Sequence, residues 1–207
     1  MNIAIIIPAF KESDNIEKLI CSIQKVLGNP LIIIIDDSPD RKTREKIKNF
    51  NNIRYIFRGK KLGRGSAVIE GMQSLVNEKG INKIIEMDAD LSHDPNEIVN
   101  NLKIFEKDNL DILISSRYLK DSRITNWSLK RRIFSILANR LAKFVLKMPI
   151  TDYTNGFRIY SKNSIKHIVE NCGRIGGGFI ILSEILVELY FNNFKVDEIH
   201  SQFNNRT

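Results

Sequence analysis

Leu31-Ile-Ile-Ile-Ile-Asp-Asp37 decides the reading of this chain: a short β-branched run that stops on a pair of aspartates. A second run, Lys83-Ile-Ile-Glu-Met-Asp-Ala-Asp90, ends the same way. Comparable runs occupy residues 3–7, 53–57 and 111–115, and each is followed by a longer amphipathic stretch. This rhythm predicts βαβ units: an α/β fold with a mostly parallel sheet and helices on both faces. The spacing predicts helices over residues 13–27, 41–49, 65–79, 95–107 and 129–147, and Asp94-Pro95 reads as an N-cap followed by proline at the first helical position. After Pro149 the rhythm breaks down. Residues 157–160 and 195–199 read as strands, Gly176 to Gly178 as a glycine run, and residues 179–191 as an apolar helix. No linker-like composition separates this part, so residues 1–207 are expected to form one domain.

The 207 residues are 43% hydrophobic and 27% charged, which suits one globular domain with a full core. No apolar run approaches the roughly 18 to 20 residues that cross a bilayer, and the chain enters directly on a strand without a signal-peptide layout, so a cytoplasmic location is expected. The two cysteines, Cys21 and Cys172, form no CxxC spacing and read as free thiols. The net charge is +8, and between Arg117 and Lys147 nine basic residues face a single acid, Asp121. The charge could mean a nucleic acid, an anionic membrane surface or merely a basic surface, and whatever anion this protein meets is expected there. A nucleic-acid module would need stacking aromatics among the basic residues. Only Trp127 and Tyr118 qualify, Phe134 and Phe144 reading as core, so no nucleic acid is expected.

In an open parallel sheet, ligands bind outside the carboxyl ends of the strands. Asp36, Asp37, Asp88 and Asp90 all fall at such ends, where their repulsion is tolerable only with a cation nearby. Either pair alone could equally be a turn former or helix cap; their coincidence on one edge favours a site. Oxygen ligands suit Mg²⁺ or Mn²⁺, ions that keep positions for substrate phosphates, so a diphosphate-containing partner follows. The sequence has neither GxGxxG after the first strand nor GxxxxGK[ST]. Lys61-Leu-Gly-Arg-Gly-Ser-Ala67, taken alone, reads as a tight turn into the next helix.

Four stretches in order carry a family resemblance: Ile7-Pro-Ala-Phe-Lys-Glu-Ser-Asp-Asn-Ile16, Ile35-Asp-Asp-Ser-Pro-Asp40, Lys61 to Ala67, and Met87-Asp-Ala-Asp-Leu-Ser-His-Asp-Pro95. They resemble the inverting GT-A family 2 glycosyltransferases, with a Rossmann-like sheet. Ser116-Arg-Tyr118, Arg131-Arg-Ile-Phe-Ser-Ile-Leu-Ala-Asn139, Asp152-Tyr-Thr-Asn-Gly-Phe-Arg158 and Glu184 look like the dolichol-phosphate mannosyltransferase branch, and the resemblance spans essentially the whole chain. It implies a nucleotide-sugar-binding half, residues 1–115, and an acceptor-binding half, residues 116–207. By resemblance Pro8, Glu12 and Asp37 hold the base and ribose, Lys61 belongs to the substrate set, and Asp88 and Asp90 hold the metal and donor diphosphate. Phe10 stands where many relatives have Tyr, and Ser92 where some carry a metal-binding Gln.

In the basic segment, Arg131, Ser135 and Asn139 fall at i, i+4 and i+8, forming one polar stripe on a helix whose remainder is largely apolar. Such a helix suits an interfacial place on anionic lipid; alternatively it is a solvated basic face over a core-packed helix. The resemblance makes Arg117 and Arg131 the grip on an acceptor phosphate. Asp152 and Glu184 would close over the sugar or orient a neighbour, or else serve buried salt bridges, with Arg158 paired to an acid. Arg206 matches an arginine that contacts donor phosphate. The implied reaction carries a hexose from GDP-mannose or UDP-glucose to a polyprenyl phosphate, with Asp90, Arg117 and Arg131 as the catalytic set. A phosphate nucleophile is already anionic and needs no base. Were the acceptor a sugar hydroxyl, as in other family 2 transferases, His93 would be the first suspect for that base.

Overall fold

The computed structural model describes residues 2–205. The first half runs β1 (Ile3–Ala9), α1 (Ile16–Leu27), β2 (Leu31–Asp36), α2 (Lys42–Ile47), β3 (Ile53–Phe57), α3 (Arg64–Leu75), β4 (Lys83–Glu86), α4 (Glu97–Lys107) and β5 (Ile112–Ser116). The second runs β6 (Arg123–Thr125), α5 (Leu129–Leu146), β7 (Arg158–Ser161), α6 (Lys162–Asn171), α7 (Ile180–Phe191), β8 (Val196–His200) and β9 (Gln202–Asn204). Seven strands form one sheet in the order β3-β2-β1-β4-β7-β5-β8, and β6 pairs with β9 in a small second sheet.

Every residue of β1 is buried, because helices cover both faces. Alternation sends Ile3, Ile5 and Ile7 into a core with α1 and α4, and Ala4 and Ile6 into the opposite core with α3, α6 and α7. Each fully buried isoleucine contributes about 1.5 to 3 kcal/mol. β2 and β4 lie on either side of β1, both parallel to it, so their aspartate-bearing ends open on one rim.

The structure departs from the sequence reading in several places, the small β6–β9 sheet among them. Strand β7, expected near residues 157–160, runs antiparallel and is inserted between β4 and β5. Helix α6 was not anticipated: it starts immediately after β7, with Ser161 Oγ accepting the Ser164 amide, and buries Ile165 and Ile168. Helix α4 begins at Glu97, since Asp94 closes a turn by accepting from the Asn96 amide at 2.9 Å. The glycine run has a packing reason, since an added Cβ on Gly177 would overlap the Leu62 carbonyl. An added Cβ on Gly63 would overlap the Gly177 carbonyl, and Gly63 also holds φ 104°.

Candidate active site

A cleft of ≈ 460 Å³ opens at the ends of β1, β2 and β4, and Pro8, Glu12, Asp37, Lys61, Asp88 and Asp90 all line it. These are six of the positions expected to hold a nucleotide sugar and its metal. Of the four rim aspartates, Asp36 is the exception: it is buried and accepts from Ser38 Oγ and Tyr55 Oη, at 2.5 and 2.8 Å. Asp37 is bound to Arg58, and its Oδ2 accepts the Leu62 and Gly63 amides, both at 2.9 Å. It therefore braces the turn that leads into α3. Phe10 offers a ring face to Lys61, whose Nζ lies 4.8 Å from the centroid.

The floor of this cleft is one ion network. Arg64 donates through Nε to Asp88 Oδ1 and through Nη1 to Glu86 Oε1, both at 2.6 Å. Burial alone would raise the Asp88 carboxyl, but Arg64, with smaller help from neighbours that include Arg117, holds that carboxyl below its ordinary range. Asp90 Oδ1 accepts the Ser92 amide at 3.1 Å. Asp88 Oδ2 and Asp90 Oδ2 accept no hydrogen bond among the described residues, and both residues line the open cleft. Two carboxylates beside a space for phosphate fit a hard divalent ion that keeps substrate oxygens in its shell. They do not fit an all-protein cage; no group of three candidate ligands occurs among the described residues. Ser92 is buried, and its contact with Asp90 is made by the amide.

His93 is not placed to act as a base. It is 2% exposed, its Nδ1 accepts the Asp88 amide, and its Nε2 lies 3.1 Å from Asn155 Oδ1. Burial lowers its pKa, so it stands neutral, stacked on Phe157.

Beside the acid-lined cleft lies a basic one of ≈ 430 Å³, with Arg117, Trp127, Arg131, Phe134, Ser135 and Phe179 among its walls. Arg117 and Arg131 both lie over the Trp127 ring, at 5.3 and 4.3 Å from its centroid. Arg117 is also held by Asp152, Nε to Oδ2 at 2.7 Å and Nη2 to Oδ1 at 2.8 Å. Asp152 is fully buried with both oxygens engaged, so its contact is with Arg117 and not with a sugar. The stripe on α5 is divided. Ser135 meets Tyr118 Oη and, with Arg131, faces the basic cleft. Asn139 turns inward, its Oδ1 accepting the Tyr153 amide at 2.8 Å; it ties α5 to the Asp152 loop and is not free for a phosphate.

Glu184 lies away from both clefts. Its Oε1 accepts the Gly173 amide at 3.1 Å, which fixes the segment ahead of α7. Arg158 pairs with no acid among the described residues; it donates to the Asn155, Leu182 and Tyr153 carbonyls. Arg206 lies outside the described residues. Phe134 and Phe144, read as core from sequence, are 73% and 80% exposed. Helix α5 buries only Asn139 and presents Leu129, Leu137, Leu141 and Val145 outward as well. No helix among the described residues is long and apolar enough to cross a membrane.

Sequence reasoning gave no role to Arg58, Arg64 or Phe179. A signal existed for Arg64: Glu86 is an acid set between the apolar residues Ile85 and Met87 of a strand run, and a buried acid demands a cation.

The seven-stranded sheet with β7 reversed between parallel neighbours, and an acid-lined cleft at its strand ends, is the α/β architecture of the GT-A glycosyltransferases. Glucosyl-3-phosphoglycerate synthase from Mycobacterium tuberculosis, solved with Mn²⁺, UDP and phosphoglyceric acid, matches with TM-score 0.71 at 15% identity, over 100% of this chain and 72% of that one. The same protein with Mg²⁺ and UDP gives TM-score 0.71 at 15% identity, with coverage of 100% and 72%. The family profile Glycosyl transferase family 2 matches residues 4–169, and the chain belongs to that family. Among curated proteins it is 33% identical to a dolichol-phosphate mannosyltransferase from Pyrococcus furiosus, over 98% of this chain and 56% of the relative. It is 27% identical to a polyprenol monophosphomannose synthase from Mycolicibacterium smegmatis, over 98% of this chain and 77% of the relative. The chain thus spans little more than half the length of the first.

Proposed function

We propose that this chain is the catalytic domain of an inverting glycosyltransferase that carries a hexose, mannose first, from a nucleotide sugar to a polyprenyl phosphate. The observation that carries the reading is the pair Arg117 and Arg131 laid over Trp127, in a cleft separate from the acid-lined one and bordered by the exposed apolar residues Phe134 and Phe179. A receptor for an anion, surrounded by apolar surface, suits a phosphate on a lipid tail. The names of the two mannosyl-transferring relatives support the same substrates.

In this reading Pro8, Glu12 and Asp37 line the place of the base and ribose, and Lys61 that of the diphosphate. Asp88 and Asp90 would hold Mg²⁺ or Mn²⁺, which when bound supplies Lewis-acid stabilisation of the departing diphosphate. Arg117 and Arg131 position the acceptor phosphate, whose oxygen forms the new bond to the anomeric carbon while the bond to the donor diphosphate breaks. No proton has to be removed, in keeping with the burial of His93, and the work left to the protein is positioning and charge neutralisation. Residues 1–115 would supply most of the donor site and residues 116–207 the acceptor site, with Gly178 and Phe179 reaching into the donor cleft.

The exposed apolar residues of α5 lie among Lys130, Arg131, Arg132, Arg140, Lys143 and Lys147, an arrangement suited to peripheral attachment at an anionic membrane surface on the cytoplasmic side. The test is transfer of label from GDP-mannose and from UDP-glucose, each offered with polyprenyl phosphate and divalent metal, into organic-extractable product. Label passing to a glycan or glycolipid hydroxyl in place of the lipid phosphate would overturn the acceptor assignment.

A further inference from the structure

Arg64 has two acid partners of unequal standing. Glu86 is fully buried, with its second oxygen accepting from Tyr160 Oη at 2.7 Å, and without Arg64 its charge would be stranded in the core. Asp88 is on the cleft floor with 24% of its side chain exposed, so it can exchange one partner for another. The guanidinium is fixed between these acids by its surroundings. Nη2 lies 3.4 Å from the Gly156 carbonyl, and a Cβ at Gly156 would overlap the guanidinium. The Phe179 ring stands 5.6 Å from Cζ.

The cation is therefore anchored by Glu86 and borders the cleft together with Asp88, Asp90 and Lys61. Four carboxylates, Glu12, Asp37, Asp88 and Asp90, line the cleft with the cations Lys61 and Arg64, while the cation Arg58 stands behind it on Asp37 and Glu86 behind it on Arg64. Of those cations, Arg58 is bound to Asp37 and takes part in the turn, and Lys61 is a flexible point charge. Among the described residues, only Arg64 presents a planar fork in the lining at the Asp88–Asp90 floor, and a fork matches the paired oxygens of a phosphate.

We propose that Arg64 is a direct ligand of the donor's diphosphate, shifting from Asp88 to a phosphate oxygen while Glu86 keeps hold of it, so that nucleoside diphosphate binding persists without divalent metal. This rests on the nucleotide-sugar reading of the cleft.

The experiment is calorimetric titration of the chain with GDP and with UDP, in excess EDTA and again with Mn²⁺. Removing Arg64 alone would strand Glu86, so the main variant is Arg64→Gln with Glu86→Gln, checked for folding by circular dichroism and thermal melting. The wild type should bind one nucleotide in EDTA. The double variant should bind it about tenfold more weakly or worse in EDTA, and lose less in Mn²⁺. Arg64→Lys, which keeps the charge but not the fork, should fall between them. Equal affinity of wild type and folded double variant in EDTA would overturn the proposal and leave Arg64 as a structural partner of Glu86. Wild-type binding only with Mn²⁺ would overturn it while sparing the nucleotide-sugar reading. Binding of neither nucleotide under either condition would overturn both.

Discussion

Asp152 holds Arg117 from beneath, a fully buried carboxylate gripping the guanidinium through both oxygens and also accepting the Arg117 amide at 3.0 Å. Burial alone would raise the Asp152 carboxyl, but Arg117 outweighs it and holds it below the ordinary range. A depressed folded value gives stability that is present above the unfolded pKa, about 3.9, and is lost as pH falls through the folded value. Asp152→Asn should destabilise the chain at pH 7 by about 3 to 5 kcal/mol, because Arg117 is left uncompensated. The gap between wild type and variant should close as pH drops below about 4. Urea unfolding of both at pH 7, 5 and 3 checks this; a gap independent of pH would mean the pair does not titrate with folding.

Arg131 lies over Trp127 and donates through Nη1 to Asn205 at 3.0 Å, and no carboxylate pairs with it among the described residues. Arg131→Ala should therefore leave the fold alone and reduce use of polyprenyl phosphate about tenfold or more, while donor affinity measured without acceptor stays near wild type. Arg131→Lys should recover part of the loss. Steady-state kinetics with the lipid varied at fixed donor provide the test, and a loss confined to donor affinity would move Arg131 to the other cleft.

Asp90→Asn removes a charge from the floor of the acid-lined cleft, where its Oδ1 is oriented by the Ser92 amide. Transfer should fall by two orders of magnitude or more, roughly the loss expected when leaving-group stabilisation goes. Thermal melting should shift little, since Asp90 is only partly buried. Unchanged turnover at saturating Mg²⁺ and Mn²⁺ would remove Asp90 from the metal site.

Phe134 and Phe144 stand outward on α5, so replacing both with Ser should cost little stability. It should weaken binding to anionic vesicles, and wild-type binding should itself decline as salt rises. Vesicle co-sedimentation with and without anionic lipid measures both effects. Equal recovery with neutral and anionic vesicles would count against the basic, membrane-facing role.

What could be read from residue order was whatever depends on local pattern. The runs ending in Asp37 and Asp90 announced parallel strands with acids on one rim, and six positions assigned to the donor cleft do line it. What could not be read depends on partners distant in the chain. The turn inward of Asn139 toward the Tyr153 amide has no local signature, because the same spacing puts Arg131 and Ser135 on an open face. Phe134 and Phe144 show the opposite failure: aromatic residues at helical spacing imply a core, and only the absence of a covering element leaves them outside. Helix α6 escaped notice because it follows β7 without an intervening turn.

Strand β7 carries a consequence for how the chain is made. Its partners, β4 and β5, come early, yet they share no ladder with each other and are bridged only when residues 158–161 lie between them. A nascent chain halted at Ser116 could pair β3, β2, β1 and β4 behind the donor cleft, but it would leave β5 with no strand to join it to that sheet. Joining β5 and β8 to that sheet must wait for about three quarters of the polypeptide to emerge. Such long-range closure slows folding and leaves open strand edges vulnerable to mispairing in the interval.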